Sequence, residues 1–185
     1  MSRIQSFADQ IAQAGVARAF GVLGSGASLE LVDALEKHGV AFHAAHHEAS
    51  AAIMAGTVGR LSGIPGVAIG IKGPGFANMA SGLSACLLDG LPMIAAVEAY
   101  PPDTDWTVRH KGMDHASLAR AIAKARVQLT VDGGFGGAAA FAHAEAQGPV
   151  VVELTDGEAV FPDPPPPMPT TPTWSRPSKA RVDPW

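Results

Sequence analysis

The sequence predicts one α/β domain with a doubly wound, mainly parallel sheet and helices on both faces. Three observations predict it. Short apolar runs alternate with longer stretches of helical spacing, and such alternation builds parallel strands joined by crossover helices. The 185 residues are 47% hydrophobic, enough for a single domain with its own core. The early apolar runs close in glycine-rich or polar turns at 24–26, 45–48 and 72–75. Open parallel sheets bind ligands at junctions of this kind, outside the carboxyl ends of the strands.

In chain order, residues 2–14 place Ile4, Phe7, Ala8, Ile11 and Ala14 at helical spacing. Residues 19–23 form a short apolar run closed by Gly24-Ser25-Gly26. Ser28 stands as a cap for a helix through Lys37, which Gly39 ends. Residues 40–44 are a strand candidate and 48–61 a helix of small residues. A buried strand over 66–71 leads into the Lys72-Gly73-Pro74-Gly75 turn and a helix over 76–88. A strand over 92–97, a helix over 117–125, a strand over 127–131, a helix over 138–146 and a strand over 149–154 complete the domain, which spans 1–161. The remaining 162–185 hold nine of the fifteen prolines. Proline lacks the N–H donor and fixes φ, so this tail runs extended. It is either a solvated end or an arm across a partner subunit, an alternative suggested by Trp174 and Trp185.

Composition excludes several classes. The 13 Lys and Arg against 17 Asp and Glu form no basic cluster, which argues against a nucleic-acid partner. A lone Cys86 rules out a disulfide framework or a Cys-rich zinc site and suits a cytoplasmic setting. Polar residues interrupt every long apolar run, so no transmembrane helix is expected. Charged residues make up only 16%, against about 25% in typical soluble domains. The missing charge is expected where surface is buried against another subunit, so an obligate oligomer is predicted.

The motifs narrow the chemistry. After Gly24-Ser25-Gly26, the third glycine of a dinucleotide fingerprint would fall at Leu29, and no ribose-binding acid follows the second strand. Lys72 precedes its glycines, so there is no phosphate loop of the GxxxxGK type. His46-His47-Glu48 lacks the second histidine of HExxH, since position 51 is alanine, and no protein-only metal site is expected. Glu48 itself opens a helix whose next two turns are nearly all small or apolar. It is either a first-turn acid favoured by the helix dipole or a functional carboxylate. No Lys or Arg lies near it in sequence, and a buried carboxylate is expensive unless something engages it. The Lys72-Gly73-Pro74-Gly75-Phe76-Ala77-Asn78 turn lets backbone approach a ligand, although on its own such a turn is structural more often than it is a site.

Together these junctions resemble one family, the pyrimidine-binding (Pyr) domain of thiamine-diphosphate enzymes of the acetolactate synthase and 2-oxoacid decarboxylase type. The resemblance lies in Phe20-Gly21-Val22-Leu23-Gly24 with Ser28 to Leu35, His47-Glu48-Ala49 with Ala52 to Ala55 and Arg60 to Gly63, and Gly73-Pro74-Gly75 with Asn78. It continues through 114–129 and Gly148 to Leu154, and so covers about residues 1–161. It implies that Glu48 is the catalytic activator, bonding the ring nitrogen of the cofactor's aminopyrimidine. It also implies that Leu23, Gly24, Gly73, Pro74 and Asn78 line the cofactor pocket. Members of the family also need a diphosphate and Mg2+ site built on a GDG motif. Here Val131-Asp132-Gly133-Gly134 lacks the leading glycine.

The implied reading is therefore a Pyr-type α subunit resembling those of split sulfopyruvate and phosphonopyruvate decarboxylases, with Mg2+ and diphosphate held by a separate β subunit. Lys72 stands where many relatives carry a small hydroxyl residue. It could bind the anionic head of a small 2-oxoacid as a point charge, with Ser25, His110 and Lys111 as further substrate contacts. For Lys72 and Lys111 the plain alternative is an exposed, solvated side chain. Two alternatives stand beside the decarboxylase, namely a carboligase subunit like acetolactate synthase and a non-catalytic Pyr-fold interaction module.

Overall fold

The computed structural model describes residues 2–24, 26–101, 104–129 and 134–155. Six strands, β1 (Arg18–Gly21), β2 (Ala41–Ala44), β3 (Gly66–Gly70), β4 (Met93–Glu98), β5 (Ala125–Gln128) and β6 (Pro149–Leu154), form one sheet in the order β2-β1-β3-β4-β6-β5. Every neighbouring pair is parallel. The expected α/β doubly wound architecture is present, and its strand order reverses between β1 and β3. Among the described residues no helix is long and apolar enough to cross a membrane.

Six helices cover the sheet: α1 (Arg3–Gln13), α2 (Ala27–Lys37), α3 (Glu48–Ser62), α4 (Pro74–Leu88), α5 (His115–Ile122) and α6 (Phe135–His143). Strand residues alternate between two cores. Ala19, Val67, Ile69, Ile94, Val150 and Val152 meet Phe7, Ile11, Leu31, Leu35 and Ala138, from α1, α2 and α6. Phe20, Ala68, Met93, Ala95 and Val151 meet Ala52, Phe76, Met79, Leu83 and Ile122, from α3, α4 and α5. The small residues of α3 have a packing purpose. A Cβ on Gly82 of α4 would collide with Ala49 of α3, so these two helices touch at backbone distance.

Several element boundaries differ from the sequence reading, each for a local reason. Gly26, not Ser28, caps α2, and Ser28 is fully buried inside the helix. Helix α4 starts at Pro74 rather than 76, because proline at the first helical position fits the fixed φ and lacks an N–H that would be orphaned anyway. Helix α5 starts at His115 rather than 117, because Asp114 accepts from the Ser117 N–H as its cap. This moves β5 forward to Ala125–Gln128 from the expected 127–131. Helix α6 likewise begins at Phe135, where Gln10 of α1 accepts from the Gly134 and Phe135 N–H groups. The Pro-rich tail at 162–185 lies outside the described residues.

Candidate active site

The site grows from the carboxyl edge of β1 and β3, where the strand order reverses. Chain leaving β1 passes Leu23 and Gly24, both exposed, before reaching α2. Gly24 packs so closely on Ile71 that a Cβ there would clash with the isoleucine Cγ2. The β1–α2 and β3–α4 turns therefore lie side by side. Gly73 follows with φ of 61°, and its side-chain position is filled by the Lys111 carbonyl. Only glycine accepts both conditions without strain.

Glu48 is the first residue of α3 and is only 7% exposed. The cap before it is His47, whose Nδ1 accepts from the Ala49 N–H at 3.2 Å. Glu48 Oε1 lies over Gly75, where a Cβ would stand 3.5 Å away. Among the described residues no hydrogen bond or ion pair engages the Glu48 carboxylate. A buried acid over a glycine, engaged by none of the described residues, is placed for a ligand donor.

Two further glutamates are buried on the same edge, and both are paired. Glu98 ends β4 with its side chain toward α2. Its Oε1 accepts from the Ser28 N–H at 2.9 Å, and its Oε2 accepts from Lys72 Nζ at 2.7 Å. Burial pushes this carboxyl up, but the bonds from Lys72 and Ser28 outweigh it and hold it below its ordinary 4.5. Glu153, the penultimate residue of β6, faces the opposite side of the sheet. Arg126 pairs with its Oε2, and His115 Nδ1 stands 3.3 Å from its Oε1, near enough for attraction but off hydrogen-bonding geometry. His115 Nε2 accepts from the Gly73 N–H at 3.1 Å, so the proton of a neutral imidazole resides on Nδ1, facing the acid. Glu153 and His115 thus brace the turn beneath Glu48 from behind.

The residues singled out in the sequence do not all converge. Glu48, Leu23, Gly24, Gly73 and Pro74 lie on the β1/β3 edge. Asn78 is exposed on α4, five positions into the helix and beyond the first orphan N–H groups. Lys72 and Lys111 line a separate cleft of about 720 Å³, together with Tyr100, Arg109, Arg126 and His115. Lys72 is not free there, because its ammonium belongs to Glu98 and lies 5.2 Å from the centre of the Tyr100 ring. His110 is exposed and is not one of the cleft-lining residues. Its carbonyl accepts from the Tyr100 hydroxyl. Ser25 lies outside the described residues.

Sequence reasoning missed Glu98, His115, Arg126 and Glu153. The available signal was an acid closing an otherwise apolar run, in Met93-Ile94-Ala95-Ala96-Val97-Glu98 and Pro149-Val150-Val151-Val152-Glu153. A charge at the end of a buried strand points to a partner brought there by the fold.

A doubly wound parallel sheet, with a buried acid at its topological switch point that no described residue engages, defines an α/β domain with a candidate ligand site at that edge. Comparison with known proteins specifies it. The family model described as "Thiamine pyrophosphate enzyme, N-terminal TPP binding domain" matches residues 1–118, and the chain belongs to this family. It is 36% identical over 122 residues to the acetolactate synthase of Bacillus subtilis (strain 168), covering 65% of this chain and 21% of that protein. It is 32% identical over 122 residues to the catabolic acetolactate synthase of Raoultella terrigena, covering 65% and 22%. The large subunit of Escherichia coli (strain K12) acetolactate synthase isozyme 2 is 41% identical over 81 residues, covering 44% and 15%. The matched region is about a fifth of the length of the first two relatives.

Proposed function

We propose that this chain supplies the pyrimidine-binding half of a thiamine-diphosphate site and that the assembled enzyme decarboxylates a small anionic 2-oxoacid of the sulfopyruvate or phosphonopyruvate kind. One observation carries the reading: the Glu48 carboxylate is buried over Gly75 with no protein partner among the described residues. A planar aminopyrimidine with a ring nitrogen suits that cradle, because a side chain at position 75 would compete for the same space. Bound thiamine diphosphate supplies a carbon nucleophile and an electron sink for 2-oxoacid chemistry. Glu48 holds the proton shared with the ring nitrogen, and the start of α3 fixes the direction from which it does so. Leu23, Gly24, Gly73 and Pro74 give the ring a close backbone wall, and Asn78 is assigned to its rim. Ser25, His110 and Lys111 are the proposed substrate contacts, while Lys72, whose ammonium is held by Glu98, is assigned a structural role instead.

Diphosphate and Mg2+ are assigned to a second, diphosphate-binding subunit. The low charge content of this chain agrees with a surface covered by such a partner. The exposed Leu61 and Leu88, at 82% and 85%, agree with it too. Native mass spectrometry of the protein isolated from its own source tests the proposal. A complex containing a second chain of domain size, thiamine diphosphate and Mg2+ supports it. A cofactor-free homo-oligomer refutes it and favours a non-catalytic interaction module.

Carboligation is the second reading, and it is favoured by the relatives that carry the name acetolactate synthase. Product analysis with and without an added aldehyde acceptor separates it from simple decarboxylation.

A further inference from the structure

Gly73 takes two separate contacts from one short segment of the chain. Lys111 seats its carbonyl where a Gly73 side chain would stand, and His115 Nε2 accepts from the Gly73 N–H at 3.1 Å. Both contacts fall on the residue that caps α4, two positions before the Gly75 over which Glu48 lies. The middle of that helix is fixed independently, because Gly82 packs on the Ala49 backbone. The near end, beneath Glu48, is therefore set by Lys111 and His115. The Lys111 contact is steric, whereas the His115 contact depends on where a proton sits.

His115 is 6% exposed, and its ring lies against Phe76 of α4 with centroids 4.8 Å apart. Glu153 of β6 stands 3.3 Å from Nδ1, and Arg126 of β5 pairs with the same carboxylate. The cleft that His115 lines adds Lys72, Arg109, Lys111 and Asp114. Nδ1 itself makes no hydrogen bond among the described residues. A neutral ring accepts at Nε2 with its proton on Nδ1, and a charged ring carries a proton on both nitrogens. In the charged form the Nε2–H meets the Gly73 N–H, donor against donor, while the Nδ1–H is drawn toward Glu153. Both changes pull the ring the same way, off the turn and toward β6. Histidine is the side chain whose ordinary charge change falls between about pH 5 and pH 8.

We propose that His115 is a positioning residue, which latches the cap of α4 under Glu48 only while its imidazole is neutral, so that protonation in mild acid releases the turn. The consequence for the cofactor rests on the thiamine-diphosphate reading above. The latch itself does not, so the two can fail separately.

NMR of the full chain, with backbone and histidine ring nitrogens labelled, reads the latch without any cofactor. At about pH 8 the His115 ring should carry its proton on Nδ1, and lowering the pH to about 5 should charge the ring and move the Gly73 amide signal with the same midpoint. His115→Gln offers an acceptor that takes up no proton, and should hold the Gly73 signal steady over that range. His115→Phe fills the space without an acceptor, and should displace the signal throughout. A proton on Nε2 at about pH 8, a Gly73 signal that ignores the ring titration, or a ring that stays neutral until the chain unfolds overturns the latch. Retention of thiamine diphosphate by the proposed assembly reads the consequence. His115→Phe should weaken it about tenfold, as expected for a buried donor left without its acceptor. His115→Gln should restore it to within about twofold and remove the part of its acid loss that follows the His115 midpoint. Equal retention by His115→Phe and the unaltered chain overturns the positioning role. Should His115→Phe fail to fold by circular dichroism, the titrations of the unaltered chain and His115→Gln decide. Glu48→Gln should leave the Gly73 titration in place. An assembly that holds no thiamine diphosphate with His115 intact refutes the cofactor reading, and with it the positioning role, while the NMR result still decides the latch.

Discussion

Three glutamates are buried along the carboxyl edge of one sheet, and the protein treats them in two ways. Glu98 and Glu153 stand near the ends of their strands and are met by cations, Lys72 and Arg126. Glu48 opens a helix, lies over a glycine and is met by nothing among the described residues. The first pair is architecture. Glu98 ties the β1–α2 side of the edge, through the Ser28 N–H, to the β3–α4 side, through Lys72. Glu153 and His115 support Gly73 from the other face. The contrast teaches that burial of a carboxylate says little about function until its partners are counted. An acid whose needs are met internally holds the site, and an acid left open is available to a ligand.

The comparison can be broken at the paired acids. Lys72→Met leaves Glu98 buried without its cation, and should destabilise the domain by about 3–5 kcal/mol, read by chemical denaturation. A loss under about 1 kcal/mol would place Lys72 among weak surface pairs and undo its structural role. Next in size is Gly73→Ala, which brings a Cβ onto the Lys111 carbonyl at positive φ. It should lower stability by about 1–3 kcal/mol and weaken cofactor retention in the proposed assembly, since the turn beneath Glu48 must shift. Unchanged stability and retention would mean that the turn is more pliable than drawn.

A smaller effect appears in acid. Because the folded state holds the Glu98 carboxyl below its ordinary 4.5, its contribution is complete above that value. It is lost as pH falls through the depressed folded value, where protonation releases Lys72 and Ser28. Denaturation midpoints should therefore drop below pH 4.5, and Glu98→Gln should flatten that part of the profile at the expense of stability near neutrality. Smallest is the behaviour of Cys86, whose thiol is pushed up to about 11 by burial, aided by Asp89. The native protein should react with a thiol reagent at pH 8 only as fast as it opens, and prompt labelling would show a looser α3–α4 contact.

Much of the fold was legible because a buried parallel strand writes itself as a short apolar run. Gly66 to Gly70 is buried at every position, and the sequence places that strand correctly. Boundaries failed where a single side chain decided them, as Asp114 did for α5 and Gln10 for α6. Glu48 was visible as an acid opening an apolar helix, with glycines elsewhere in the chain to receive it. Its contrast with Glu98 was not visible. Ser28 and Lys72 stand 70 and 26 residues away from Glu98, and only the parallel crossover brings them together. The same long-range pairing commits Lys72 to Glu98, which no local pattern around Gly73-Pro74-Gly75 foretells.

The central claim is that Glu48 is the carboxylate kept open for chemistry. The direct measurement is turnover of a 2-oxoacid by the proposed assembly carrying Glu48→Gln, with assembly and thermal stability followed on the same sample. A fall of about 10²–10⁴-fold, the usual worth of a positioned proton-transfer group, with assembly and stability nearly unchanged, is the predicted result. Near-normal turnover would contradict the claim and leave Glu48 as a first-turn helix residue.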